Sequence, residues 1–192
     1  MTPPVVELDG VQVARAGRTV LEIPELAVRR REDGVSALAL DRGFATDLAD
    51  RAPWLLLGAK SLSYAVNMAA LRHAAANGAE EVIFTATDGS VLEGATATVV
   101  IAKKRSLVTP PTTIGILPGT TQVALFRAAE RAGWPTKSEP LRLDDLRAAD
   151  GVWLVSSVRL ITRVHTLDGE PLTDAADLHA ELTELYESHY RD

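Results

Sequence analysis

Residues 82–108, VIFTATDGSVLEGATATVVIAKKRSLV, hold the strongest strand signals of this sequence. Val82–Thr85 and Ala97–Ile101 are short runs rich in β-branched residues, which are typical of strands. The turn sequence Thr87–Ser90 follows the first run. The pattern therefore predicts a hairpin-type unit that Glu93-Gly94 interrupts.

The preceding residues predict two more strands and a helix. Val35–Leu40 and Trp54–Leu57 are compact apolar runs of strand length, and the second leads directly into Lys60. A helix is predicted next, capped by Ser63 and ended by Gly78. Its predicted apolar face consists of Tyr64, Met68, Leu71 and Ala75.

The remaining segments alternate between the two element types. A hairpin is predicted over Ala102–Val108, and a helix from a Thr120 cap to about Ala132. The further predicted elements are strands at Val5–Leu8 and Thr19–Ile23 with turns at Asp9-Gly10 and Ala16-Gly17, a strand near Lys137–Pro140, a helix near Leu143–Ala148, strands at Val152–Ser156 and Leu160–Leu167, and an Asp174-capped helix with Leu178, Leu182, Leu185 and Tyr186 on one stripe. This order predicts an α+β fold with antiparallel or mixed sheets, not a regular βαβ alternation.

Composition narrows the function classes. The chain has 192 residues, no cysteine and a formal net charge of −6, so thiolate metal sites, cysteine nucleophiles and a general attraction to nucleic acid are not expected. The longest apolar run, Trp54–Ala59, is far short of the roughly 20 residues that a membrane-spanning helix needs. We expect a cytoplasmic protein that binds neither nucleic acid nor a membrane.

Lys60 and Glu93 each permit a chemical and a structural interpretation. A lysine at the end of a buried strand can lose its charge by desolvation and attack a carbonyl as a Schiff-base lysine. The ordinary interpretation is a lysine that extends its amine to solvent from the end of a strand. Glu93, between apolar neighbours and a glycine, could hold a protonated ring nitrogen, or it could be an ordinary turn acid.

The segment Leu117–Thr121 has the composition of an anion site. A glycine and two hydroxyl residues at a helix start bring free N–H groups, hydroxyl donors and the positive end of the helix dipole together. A well-capped helix explains the same residues. Ser156 and Ser157, at the end of a predicted strand, could donate two further hydroxyls.

Metal and hydrolase chemistry have little support. The four histidines, His73, His165, His179 and His189, show no metal-ligand spacing, so no metal site is predicted. A Ser157, His165, Asp168 triad can be written down, but no Gly-x-Ser-x-Gly motif surrounds any serine.

Several of these motifs occur together, in one order, in a known family. The chain from about Val35 to Gly169 resembles the fold-type IV pyridoxal-phosphate enzymes, the class IV aminotransferase group, and most of all bacterial aminodeoxychorismate lyase-like proteins. The resemblance rests on the segments KSLSY at 60–64, VLEG at 91–94, ILPGTT at 116–121, VSS at 155–157, IT at 161–162 and LDG at 167–169. It implies the large C-terminal domain of a D-amino acid aminotransferase-like fold.

The resemblance also implies a role for each matching residue. Lys60 forms the covalent bond to pyridoxal 5'-phosphate and moves protons, Glu93 pairs with the pyridine nitrogen, and Tyr64 lies near the phenolic oxygen. The phosphate is held by Gly119, Thr120 and Thr121, helped by Ser156 and Ser157.

The implied reaction is conversion of 4-amino-4-deoxychorismate to 4-aminobenzoate and pyruvate, a step of folate biosynthesis. A transaminase of D-amino or branched-chain amino acids and a truncated, non-catalytic relative are the alternatives. The family's small N-terminal domain is not matched by residues 1–30, which we interpret as a divergent segment before a large cofactor-binding domain at residues 31–192. The resemblance further implies a small amino substrate and a homodimer.

Overall fold

The protein is described by a computed structural model. It describes residues 25–188 in full and, before them, the backbone of the strands β1 (Val5–Leu8), β2 (Val11–Ala16) and β3 (Thr19–Glu22). These strands form an antiparallel sheet in the order β1-β2-β3. The strands predicted at Val5–Leu8 and Thr19–Ile23 are confirmed up to Glu22, whereas Ile23, the Asp9-Gly10 turn and Gly17 lie outside the described residues.

The rest of the chain alternates helices with strands of one large sheet. In chain order the elements are α1 (Glu25–Asp33), β4 (Val35–Asp41), α2 (Leu48–Arg51), α3 (Ala65–Ala76), β5 (Glu81–Thr85), β6 (Val91–Gly94), β7 (Thr98–Lys103), β8 (Ser106–Thr109), α4 (Thr120–Arg131), β9 (Thr136–Ser138), α5 (Leu143–Arg147), β10 (Gly151–Ser156), β11 (Leu160–Leu167), β12 (Glu170–Pro171) and α6 (Ala176–Ser188).

The large sheet is mixed, as the sequence predicts. Its order is β6-β5-β4-β11-β10-β7-β8-β9, with β12 paired to β11. The pairs β4–β5, β4–β11 and β8–β9 are parallel, and the other pairs are antiparallel. The α+β fold is thereby confirmed.

The two faces of the sheet bury different helices. Along β7, Val99 and Ile101 point into one apolar cluster, which includes Leu146 of α5. Val100 and Ala102 point into the opposite cluster, where α4 and α6 pack. This alternation follows from the two-residue period of a strand. A third cluster packs α3 against β5.

Glu93-Gly94 does not interrupt the sheet, contrary to the prediction. These residues complete β6, which pairs with β5 through Thr85–Val91 and Ile83–Gly94. The register shifts between the two pairs because β6 carries one residue more than β5, which is a β-bulge. The hairpin predicted over Ala102–Val108 is confirmed, since β7 pairs with β8 and the intervening Lys104 and Arg105 both have positive φ.

The predicted strand at Trp54–Leu57 is wrong. The chain there forms a 3₁₀ turn at Pro53–Leu55, and Leu56 is left-handed with a φ of 53°. Pro53 fixes its own φ and donates no backbone hydrogen bond, which disfavours a sheet strand. Trp54 is 74% exposed, so the apolar run forms surface and not core.

Helix α3 is confirmed, but its predicted cap is wrong, and its predicted apolar face is right at Leu71, which packs against the third cluster, and wrong at Met68 and Ala75, which are exposed. Ala70 and Ala74 are its buried residues, whereas Met68 is 37% exposed. Small alanines let the helix approach β5 closely, so residue size decided the buried face. The residue that precedes the helix is Tyr64, and Ser63 makes no capping hydrogen bond.

The other two predicted helix starts have different outcomes. Gly119 precedes α4, so Thr120 is the first helical residue and not the cap. Asp174 does accept a hydrogen bond from the Ala176 N–H at the start of α6, at 3.2 Å. The predicted apolar stripe of α6 is confirmed, with Leu182 and Tyr186 buried.

Candidate functional site

Lys60 lies on an exposed loop, which we call the lysine loop and define as residues 53–64. Its Nζ donates a hydrogen bond to the Tyr64 hydroxyl at 3.0 Å and lies 5.8 Å from the centre of the tyrosine ring. Tyr64 is half-buried. The amine is therefore oriented by the phenol at the start of α3 while it stays accessible.

The lysine loop and helix α3 each make one contact with a segment near Glu93. A Cβ on Gly58, which has a φ of +78°, would lie 2.7 Å from the Ile116 carbonyl oxygen, so the loop backbone packs tightly against this segment. In α3, the Asn67 side-chain amide donates to the Ala95 carbonyl. The residues on either side of Lys60 are thus anchored, Gly58 against the chain before Leu117 and α3 against the chain after Glu93.

Glu93 is half-buried at the bulged end of β6. Its Oε2 accepts a hydrogen bond from the Leu117 N–H at 3.1 Å. Burial raises the pKa of this carboxyl, while the Leu117 N–H and the charge of Arg42 oppose the rise. A cationic ligand group would favour the ionised form further.

Arg42 is a residue of this region that the sequence analysis missed. It follows β4, its N–H donates to the Thr85 carbonyl at 2.8 Å, and its guanidinium lies 4.2 Å from the centre of the Phe84 ring. Burial lowers its pKa, and the charge of Glu93 raises it. The available signal was a charged residue two positions after the predicted strand Val35–Leu40, at the carboxyl end of that strand.

The start of α4 has the properties of an anion site. Thr121 is buried, and its hydroxyl has no hydrogen-bond partner among the described residues. Thr120 is exposed, and a Cβ on Gly119 would collide with the Thr98 hydroxyl. Unpaired buried hydroxyls are rare in native proteins, and the first N–H groups of a helix attract anions.

Ser156 and Ser157 lie at the end of β10, close to the start of α4. Ser156 ends β10 and is half-buried, and Ser157 is exposed in the turn to β11. The preceding Val155 pairs with Thr98 of β7, the residue that touches Gly119. We call residues 156–160 the serine turn. The serine turn and the start of α4 are therefore neighbours.

The predicted site residues form two groups. One group is Lys60 with Tyr64, which share a hydrogen bond, and the other is Gly119, Thr120 and Thr121 with Ser156 and Ser157. Glu93 lies between them through its bond to Leu117. A cavity of about 180 Å³ touches Thr98 and Leu117, but Lys60 and Glu93 are not among its lining residues.

The alternative sites of the sequence analysis do not assemble. Asp168 accepts a hydrogen bond from the Ala39 N–H at 2.7 Å and pairs with Arg147, while His165 Nδ1 lies 2.9 Å from the Thr166 hydroxyl.

In the described part of the chain, no three His, Cys, Asp or Glu side chains are arranged to hold a metal ion. None of the described helices has the length and apolar character for crossing a membrane.

Comparison with known proteins places this chain in a family. A curated relative named "Bifunctional aminodeoxychorismate lyase / D-amino acid transaminase", from Mycobacterium tuberculosis, is 51% identical over 174 residues, which are 86% of this chain and 60% of the relative. This chain thus spans about three fifths of that relative's length.

Two solved aminotransferase structures are also similar to this chain. A hypothetical aminotransferase from M. tuberculosis, in its PLP-bound form, matches with a TM-score of 0.85 and 46% identity over 93% of this chain and 66% of its own. A fold IV transaminase from Curtobacterium pusillum matches with a TM-score of 0.82 and 39% identity over 94% and 63%. The family model of amino-transferase class IV matches residues 19–167. The chain belongs to the class IV aminotransferase family.

Proposed function

We propose that this chain binds pyridoxal 5'-phosphate and acts in the conversion of 4-amino-4-deoxychorismate to 4-aminobenzoate and pyruvate. The observation that carries the proposal is the 51% identity to a relative named for aminodeoxychorismate lyase and D-amino acid transaminase. The chain keeps a lysine, an acid and a hydroxyl-lined helix start at the positions where the family resemblance requires them.

The residues present fit the cofactor's chemistry. The Thr121 hydroxyl, which has no partner among the described residues, and the first N–H groups of α4 suit a phosphate, with Ser156 and Ser157 beside them. Glu93 suits the protonated ring nitrogen, because a cation would offset the cost of its burial. Lys60 would hold the aldehyde carbon, and Tyr64 the phenolic oxygen.

The proposed roles of these side chains follow from their contacts. When bound, the cofactor supplies an electron sink next to the substrate's nitrogen. Lys60, oriented by the Tyr64 hydroxyl at 3.0 Å, would take the proton from the ring carbon that carries the amino group. The ring C–O bond of the enolpyruvyl ether would then break, so that the ring becomes aromatic and the departing enolpyruvate takes up a proton and tautomerises to pyruvate. The ionised Glu93 would keep the ring nitrogen protonated during this transfer.

A D-amino acid transaminase is the second candidate, because the same relative is named for that reaction. The same proton transfer at Lys60 would serve it, with a 2-oxo acid as acceptor. The two reactions differ in their products, 4-aminobenzoate with pyruvate in one and a new amino acid in the other.

The test is an assay of the purified chain with pyridoxal 5'-phosphate. We expect 4-aminobenzoate and pyruvate from aminodeoxychorismate, and loss of both products in Lys60→Ala. Lys104→Ala, in the exposed β7–β8 turn, is the matched control and should keep the activity. Amino transfer from D-alanine to 2-oxoglutarate without lyase products would favour the transaminase. Cofactor binding without either reaction would contradict both and support a non-catalytic relative.

Self-association is part of the proposal. The lysine loop exposes apolar side chains, with Trp54 74% and Leu62 97% accessible, and exposed apolar patches of this kind mark interaction surfaces. We propose that a homodimer covers them, and that the protein works in the cytoplasm. Light scattering of the intact chain and of Leu62→Ser tests the dimer, which the substitution should weaken. The division into segments 1–30 and 31–192 stays a prediction.

A further inference from the structure

Glu81 is an acid buried at the start of β5. It is 1% exposed, and its Oε1 accepts hydrogen bonds from Nη1 of Arg30, at 3.1 Å, and from Nη1 of Arg159 in closer contact. Burying three charged groups is costly, so such clusters are poor evidence for stability alone. The cluster is therefore better explained by the segment that it holds in place.

Arg159 connects Glu81 to the serine turn. The arginine is 7% exposed, and its backbone N–H donates to the Ser156 hydroxyl at 3.4 Å. Its Nη2 donates to the Thr96 hydroxyl at 3.3 Å, three residues after Glu93. One side chain thus links the serine turn, the end of the bulged strand and β5.

The serine turn needs such an anchor. Ser156 pairs with Leu160 across only three residues, and Leu160 has a φ of 53°, a conformation that is rare for leucine. A non-glycine residue keeps this left-handed backbone conformation only when the surrounding structure holds it there. Ser157 and Val158 are exposed, which leaves Arg159 and Leu160 as the buried part of the turn.

We propose that Arg159 is a positioning residue: its ion pair with Glu81 fixes the serine turn, so that the hydroxyls of Ser156 and Ser157 are preorganised for the phosphate of the ligand. The inference rests on the proposed cofactor, and it concerns only the phosphate group. It assigns Arg159 no contact with the ligand.

The experiment compares two ligands that differ in this group. Affinities of pyridoxal 5'-phosphate and of pyridoxal are measured by fluorescence titration for the intact chain, Arg159→Lys and Glu81→Gln. Lysine keeps the charge but not the forked geometry that reaches Glu81 and Thr96 together. We expect Arg159→Lys to weaken pyridoxal 5'-phosphate by about tenfold, as for loss of an aligned charged hydrogen bond, and pyridoxal by less than about twofold.

The matched control is Arg163→Lys in β11, which alters an ion pair with the exposed Asp174 and should change neither affinity. Equal weakening of both ligands, or unchanged binding of pyridoxal 5'-phosphate, would overturn the inference. If Arg159→Lys fails to fold, Glu81→Gln decides by the same ratio. Phosphate-selective loss without lyase activity would refute the proposed reaction and leave this inference standing, whereas no cofactor binding by the intact chain overturns both.

Discussion

The lysine loop and the serine turn carry the two halves of the candidate site and are built in opposite ways. Lys60 and Tyr64 share an exposed hydrogen bond on a loop with accessible apolar side chains. The serine turn is tied to buried Glu81 through Arg159. The difference predicts that the turn is coupled to folding, whereas the loop can change with little effect on stability.

The largest effect is expected for Glu81→Ala. Removing this acid leaves Arg159 buried without its ion-pair partner, and breaking a buried pair costs about 3–5 kcal/mol of unfolding free energy. Urea denaturation measures the loss. Arg51→Ala, which removes the exposed ion-pair partner of Asp47, is the control and should cost less than about 1 kcal/mol. Similar losses in the two variants would contradict the contrast between buried and exposed pairs.

The second prediction concerns Thr121→Val. The substitution removes a buried hydroxyl that has no partner among the described residues, so the ligand-free protein should be as stable as before or more stable. Affinity for pyridoxal 5'-phosphate should fall by about tenfold, since one hydrogen bond to an anion is lost.

Thr183→Val supplies an internal control for this experiment. Thr183, on α6, also carries a buried hydroxyl without a partner in the described part of the chain. Its replacement should leave cofactor affinity unchanged while it relieves the same kind of desolvation. A cofactor effect of equal size at both positions would show that the Thr121 hydroxyl has no special role.

Much of the fold follows from local sequence, and the errors have physical causes. Strands β4, β5, β7, β10 and β11 were predictable because apolar, β-branched runs are bounded by turn residues, whereas β6 was not, because Glu93-Gly94 has the composition of an interruption. The strand prediction for Trp54–Leu57 was wrong because an apolar run has the same composition whether it lies in the core or on the surface. Helix α3 was predictable from the 3.6-residue period of its apolar residues. Its buried face was not, because Ala70 and Ala74 are buried by their packing against β5, which the local sequence does not show.

The candidate site was predictable only in part. The hydroxyl-rich start of α4 is a local pattern, so its residues were visible in the sequence. The Glu81–Arg159 pair joins positions 78 residues apart, and the electrostatic coupling between Arg42 and Glu93 likewise depends on strand order. No local pattern contains such pairings, because the large sheet must form before the groups meet.

The third prediction is a pH dependence at Glu93. Burial raises its pKa in the folded protein above the ordinary 4.5, so the folded state binds this proton more readily than the unfolded state does. Stability is then lost as pH rises from the ordinary value through the raised one. Glu93→Gln should therefore raise the midpoint of thermal unfolding at pH 7–8 and change it little below about pH 4.

Arg42→Met sharpens this test. Without the guanidinium the pKa of Glu93 should rise further, so the stabilisation by Glu93→Gln should be larger in the Arg42→Met background. A gain that is equal at pH 4 and pH 8, or independent of residue 42, would indicate that packing and not charge explains the effect.

The smallest effect is expected at the lysine loop. Lys60→Ala removes an exposed amine whose described side-chain contact is with Tyr64, so the unfolding free energy of the ligand-free protein should change by less than about 0.5 kcal/mol. The same substitution should abolish covalent cofactor binding, read from the absorbance of the protein-bound chromophore. Urea denaturation and absorbance on one sample therefore separate chemistry from folding. A stability loss close to that of Glu81→Ala would contradict the comparison, because it would mean that the lysine loop is coupled to the core as firmly as the serine turn is. An exposed side chain could have so large an effect if its removal disturbed the packing of Gly58 against Ile116.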